Sequence, residues 1–251
     1  MRLNYGELWN EAVDLVRRNR PVVVALAGAL YFLPNLVVGW LAPMEPGRPG
    51  VSFLETVVAH VRANWPLILA GGLVEMLGTL TLLRLFLKPD GRTVGAAIAA
   101  SLALLPTMFA AAFLGNLMLF AGLMLLIVPG IYILGRLALA PAAIVAEERR
   151  NPIDAIRRSF ALTRNSGFAV AGILIIIFVL ALVVDIAVSG GLGSIAILLA
   201  GRDTGLFIAE AASALVWAGA GVLQVAVAAR IYRRLAAAPT VPAAGRASGE
   251  G

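Results

Sequence analysis

Five ionisable side chains fall inside otherwise apolar runs of this chain: Glu75, Arg84, Arg136, Asp185 and Glu210. A charge near the centre of a bilayer costs about 2.5–3.5 kcal/mol on insertion scales, so each needs a partner, a ligand or a route to the interface. Arg84 is close enough to the end of its run to snorkel. At a helical rise of about 1.5 Å per residue, Arg136, Asp185 and Glu210 fall roughly 9, 6 and 8 Å from one membrane face, and Glu75 near the middle. Arg136, Asp185, Glu210 and Glu75 are therefore expected to form an intramembrane polar cluster. It is either an ion pair of Arg136 with Asp185 or Glu210 that locks helices together, or a set that lines a polar path or holds a lipid phosphate. A guanidinium suits both roles, because its fork takes a carboxylate or a phosphate bidentately.

A second set is cationic. Arg149, Arg150, Arg157, Arg158 and Arg164 lie on or beside an amphipathic stretch, 152–164. They suit anionic phospholipid, at about 1 kcal/mol per cation near the surface, or equally a topology signal whose charges stay solvated. Catalysis fits poorly. A serine nucleophile needs a histidine base within reach, and the one histidine, His60, lies outside the apolar runs with no neighbouring histidine to make a metal site. There is no cysteine, and no phosphate-cradling glycine loop follows a strand. The expectation is a protein that is not an enzyme, with no metal and no cofactor.

The elements that carry these residues are membrane helices. Of 251 residues, 61% are hydrophobic and 14% charged, against roughly 25% charged in a soluble domain. Apolar runs long enough to cross about 30 Å of hydrocarbon lie at about 21–42, 66–87, 105–127, 130–147, 168–188 and 205–229. The expected fold is all-α: a polytopic membrane protein with six transmembrane helices and cytoplasmic in-plane amphipathic helices. A membrane domain covers 1–235, and 236–251, rich in alanine, proline and glycine, reads as a disordered cytoplasmic tail.

Residues 1–20 form an in-plane helix opened by an Asn4–Glu7 capping box; they lack an apolar core, so the first span serves as its own insertion signal. Residues 52–63 and 93–104 are further amphipathic pieces. Pro89-Asp90-Gly91 and Pro129-Gly130 read as turns, and a glycine-rich loop separates the last two spans. In the helix from 152, Asn151 caps, Asp154 pairs with Arg150 and Arg158 at four-residue spacing, and Ile153, Ile156 and Phe160 line the apolar face. Ala214, Ala218 and Gly221 form a small-residue packing face on the last span.

The net charge of +6 is almost wholly arginine at helix ends, which points to lipid headgroups and not to nucleic acid. With the N-terminus inside, cytoplasmic segments hold sixteen of the 20 Lys and Arg, outer segments three (Arg48, Arg62, Arg202), and a span holds Arg136. The positive-inside rule then favours both termini in the cytoplasm of a bacterial inner membrane. Trp40 and Trp65 mark the outer interface, Trp9 and Tyr232 the inner one. Glu11-Ala12-Val13, Ala96-Ala97-Ile98 and Asp154-Ala155-Ile156 hold matching places ahead of three pairs of spans. This reads as three units of elbow helix plus hairpin, or as triplets that any interfacial helix contains.

The segment Val128-Pro129-Gly130-Ile131-Tyr132, then Arg136-Leu137-Ala138, Ala140-Pro141, Glu147, Ala155, Arg158-Ser159 and Leu162-Thr163, resembles the membrane domain of some glycerophosphoryl diester phosphodiesterases. It also looks like related stand-alone, uncharacterised bacterial inner-membrane proteins. The resemblance marks Pro129, Gly130, Pro141, Glu147, Ser159 and Thr163 as motif residues. It implies a membrane module without diesterase activity, since the family's catalysis resides in a separate soluble barrel for which this chain has no room. The expected function is a non-enzymatic, lipid-interacting or envelope-organising module, with membrane phospholipids and either a partner membrane protein or a second copy of itself as partners. The alternative is a transporter or channel for a small or lipid-derived solute, using Arg136, Asp185, Glu210 and Glu75.

Overall fold

An apolar chain in hydrocarbon has no water for its amides and must bond them internally, which leaves helix as the only open solution for long apolar runs. The computed structural model describes residues 5–44, 50–88 and 93–237 and is all-helical there. In order the helices are α1 (Tyr5–Arg18), α2 (Arg20–Ala27), a π-helical turn (Gly28–Phe32), α3 (Leu33–Leu41), α4 (Phe53–Leu87), α5 (Val94–Leu102) and α6 (Leu105–Leu125). They continue with α7 (Ile127–Leu137), α8 (Ala140–Ala146), α9 (Pro152–Leu162), α10 (Gly167–Ala200) and α11 (Arg202–Ala237). Six stretches are long and apolar enough to cross a membrane: Arg20–Leu41, Phe53–Leu87, Leu105–Leu125, Ile127–Ala146, Gly167–Ala200 and Arg202–Ala237. A short helix, α1, α5 or α9, precedes each pair of these. The Asn4 cap, the Pro89-Asp90-Gly91 turn, Arg48 and all of the tail beyond Ala237 lie outside the described residues.

Several boundaries differ from the sequence reading. The amphipathic piece at 52–63 is continuous with the second span, as α4 runs 35 residues from a capping box in which Ser52 and Glu55 bond reciprocally. Residues 189–194, read as a loop, are helical within α10. Of their glycines, Gly193 packs against α11, where a Cβ would stand 2.7 Å from Ala209, while Gly190 and Gly191 face open space. Ser189 and Ser194 meanwhile bond the carbonyls of Asp185 and Gly190 in the preceding turn. The connection shrinks to Gly201, whose φ of +85° suits glycine.

Pro129 and Gly130 do not form the α6–α7 turn either. The chain reverses at Leu126, and both residues fall in the first turn of α7, where a missing amide costs nothing. Gly130 there packs against Leu123 of α6.

The best-buried core lies at one end of the bundle, around Leu80, Leu83, Phe86, Leu139, Ile144, Val145, Val170, Val227 and Ile231. It is called the basic end below, because Arg84, Arg149, Arg158, Arg233 and Arg234 all hold contacts there.

Candidate functional site

Pro141 governs the fourth span. It has no amide to bond the carbonyl of Leu137 and its ring would clash there, so helix α7 ends at Leu137 and α8 starts at Ala140. The backbone groups freed at this break are buried and must find partners. Ser159 of α9 supplies them: its hydroxyl donates to the Arg136 carbonyl at 2.5 Å and accepts the Leu139 amide at 3.1 Å. Thr163, one turn on, donates to the Ser159 carbonyl at 2.7 Å. One motif residue thus makes the helix break and two brace it. The buried face of α9 is accordingly Ala155, Ile156, Ser159 and Thr163, while Ile153, expected on the apolar face, is exposed.

Below the break, Glu147 accepts from Arg149 Nε at 2.6 Å, Arg158 Nε at 2.6 Å and the Tyr232 hydroxyl at 2.7 Å. Burial pushes its carboxyl up, but those three hydrogen bonds together outweigh it and hold the group below the usual range. The same hydrogen bond raises Arg158. Arg158 therefore pairs with Glu147 and not with Asp154 as the spacing suggested, because Glu147 offers a geometry fixed by two other donors. Tyr232 is buried in this contact and is no interfacial belt residue. Glu148, held low first by Lys88 at 2.9 Å, also receives Arg84 at 3.5 Å. Arg84 does not snorkel; it is 4% exposed, beneath that carboxylate. Arg234 bridges α11 to Glu11 and Glu7 of α1.

Arg136 is not at the depth the sequence suggested. Its guanidinium carbon stands 4.8 Å from the Phe160 ring centroid and 5.4 Å from that of Tyr132. A Cβ on Gly135 would come within 1.9 Å of the Gly167 carbonyl, so α7 crosses α10 at its first residue. Asp185 is eighteen residues further along α10, roughly 27 Å at the helical rise. Arg136 therefore forms no ion pair with Asp185 or Glu210, and its Nε and Nη1 are buried without a hydrogen-bond partner. Counting residues along a straight span misplaced it, because the span is broken and crosses α10 instead of running beside it.

Glu75, Asp185 and Glu210 lie deeper or at the far end. Asp185 is within electrostatic reach of Glu210, whose carboxylate lies over Gly39. Glu75 accepts a hydrogen bond from the Asn35 side chain and faces a cavity of about 490 Å³. Tyr31 enters that cavity's wall from the π-helical turn, its ring held between Gly78 and Gly221 and its hydroxyl 2.8 Å from that of Thr79. Phe178 and Trp217, 5.5 Å apart, and Gln224 complete the side facing Glu75. A smaller cavity of about 270 Å³, lined by Glu210 and His60, shares Asn35 and Trp217 with the first. Asn35, Thr79, Gln224 and Tyr31 were missed in the sequence because they are uncharged; an amide inside an apolar run is the signal that finds two of them. Ala214 and Ala218 are buried within the bundle, as a small-residue face should be. Among the described residues no group of three or more acidic, histidine or cysteine side chains could hold a metal ion.

A family sequence model, described as Uncharacterised protein family (UPF0259), matches residues 53–198, from α4 to nearly the end of α10. The chain belongs to that family. The matched part of this UPF0259 member carries Glu75, Arg136, the Pro141–Ser159 brace, Glu147, the arginines of α9 and Asp185; Tyr31, Asn35, Glu210, Trp217 and Gln224 lie outside it. No curated protein and no solved structure matches the chain.

Proposed function

We propose that this multi-pass membrane protein is a non-enzymatic module that binds anionic phospholipid at its basic end, which faces the cytoplasm of a bacterial inner membrane. The carrying observation is a row of arginines on and beside α9. Arg150, Arg157 and Arg164 recur every seven residues, two turns of helix, and all three are exposed with no ion pair among the described residues. The opposite face of α9 is packed into the bundle. Arg149 and Arg158 are occupied by Glu147, which separates structural cations from those free to meet a headgroup. Exposed Arg17, Arg18 and Arg20 stand at the junction of α1 and α2. The sequence likeness to phosphodiesterase membrane domains is consistent with a lipid-facing module.

The triple variant Arg150→Gln/Arg157→Gln/Arg164→Gln tests the reading. At about 1 kcal/mol per cation, the three together lower affinity by about a hundredfold, and purified protein should retain far less phosphatidylglycerol, measured by lipid extraction and mass spectrometry. Unchanged lipid content removes the proposal.

A second reading, a transporter or channel, draws on one observation: the cavities that hold Glu75 and Glu210 adjoin at Asn35 and Trp217. Arg136 lines neither cavity. Solute uptake into proteoliposomes that Glu210→Gln abolishes would favour it.

A further inference from the structure

The larger cavity lies between the first span, α4, α10 and α11, and holds one carboxylate without a counter-charge. None of its lining residues is basic, and Glu75 forms no ion pair among the described residues. An ionised carboxylate inside a spanning helix is costly unless a cation meets it; otherwise it takes up a proton. Its one hydrogen-bond donor is the neutral amide of Asn35.

We propose that this cavity binds an organic ammonium ion, with Glu75 supplying the charge and Tyr31, Phe178 and Trp217 the aromatic wall. A volume of about 490 Å³ falls in the range of about 300–1,000 Å³ usual for small-molecule sites. Aromatic faces attract a desolvated cation, best over Trp, then Tyr or Phe. Metal ions fit badly. Hard cations such as Ca²⁺ take about six to eight oxygens and draw on several carboxylates, whereas here Glu75 is the one carboxylate and every other lining side chain is neutral. Phosphate-bearing ligands fit badly as well, because no guanidinium or ammonium lines the wall. The occupant is therefore a free organic ammonium ion and not the headgroup of a phospholipid. The smaller cavity adjoins this one at Asn35 and Trp217 and adds a second carboxylate, Glu210. The site is independent of the lipid-binding reading, since it shares no residue with the arginine row.

The test is equilibrium dialysis of the full chain in dodecyl maltoside against benzyltrimethylammonium. The expected result is saturable one-site binding, weakened at least about tenfold in Glu75→Gln and several-fold in Trp217→Leu. The uncharged isostere neopentylbenzene should not displace the probe, nor should added phosphatidylethanolamine. Wild-type protein without saturable binding overturns the proposal, as does equal affinity in Glu75→Gln or displacement by neopentylbenzene. Competition by phosphatidylethanolamine overturns the assignment to a free ammonium ion. Circular dichroism and size-exclusion profiles confirm that each variant folds; if Glu75→Gln does not, Glu75→Asp and Trp217→Leu carry the decision, and unchanged binding in both overturns the proposal.

Discussion

Ser159 provides what a continuous helix would have provided for itself. Its hydroxyl is fully buried and serves one donor and one acceptor orphaned by Pro141. Removing it in Ser159→Ala leaves both unsatisfied, at a cost of about 1–3 kcal/mol each at most. The apparent melting temperature in detergent should fall clearly, while Ile153→Ala, on an exposed site, should leave it unchanged. Equal melting of Ser159→Ala and wild type would mean the break is satisfied in another way. Glu147 gives a pH-dependent counterpart. Its pKa lies below the ordinary 4.5 in the folded chain, so its stabilisation is present above that value and lost as pH falls through the lower folded one. Glu147→Gln should therefore melt below wild type near neutral pH and converge with it as pH falls through the lowered folded value. The sequence pointed to Ser159, Thr163, Pro141 and Glu147 by resemblance but gave none of them a task. Their tasks depend on α9 folding back onto the break, a contact between residues about twenty apart that no periodicity reports.

At the scale of elements, apolar periodicity located the spans but not their ends. Helix α10 continues through a glycine-rich segment that meets α11 at Gly193, and α4 absorbs the piece before it because Ser52 caps the whole. Local propensity reports neither the contact at Gly193 in the first case nor the Ser52–Glu55 cap in the second. The α6–α7 hairpin carries a prediction of its own. From Leu117 to Ile131 no side chain is polar, and Met124, Leu125 and Ile127 at its tip are at least 70% exposed. Such a tip has nothing to hold it in water. In this cysteine-free chain, Val128→Cys in intact membranes should resist a membrane-impermeant maleimide from either side, whereas Ser52→Cys should label. Equal labelling of the two would place the tip in water.

The molecule as a whole is lopsided. Its basic end is latched by Glu147, Glu148 and Glu11 over a dense core; its far end holds Asp185, Glu210 and loosely covered apolar helix. That asymmetry of charge was readable from the arginine distribution, whereas the depth of Arg136 was not, since depth follows from how helices cross. The α10–α11 hairpin has a further consequence. Helix α10 has 34 residues, with Asp185 its only charge, and is roughly 51 Å long at the helical rise. Hydrocarbon is about 30 Å thick, and fitting the whole helix upright is impossible. Near its far tip, Leu198 and Leu199 are each 83% exposed. Hydrophobic mismatch of this size is relieved by tilting the hairpin or thickening the bilayer around it, at fractions of a kcal/mol per Å. Reconstituted protein should thus melt at progressively higher temperature as lipid acyl chains lengthen from fourteen to about twenty carbons, with no such trend if the far tip stands in water. A protein built this way would sort by membrane thickness, gathering where the bilayer is widest.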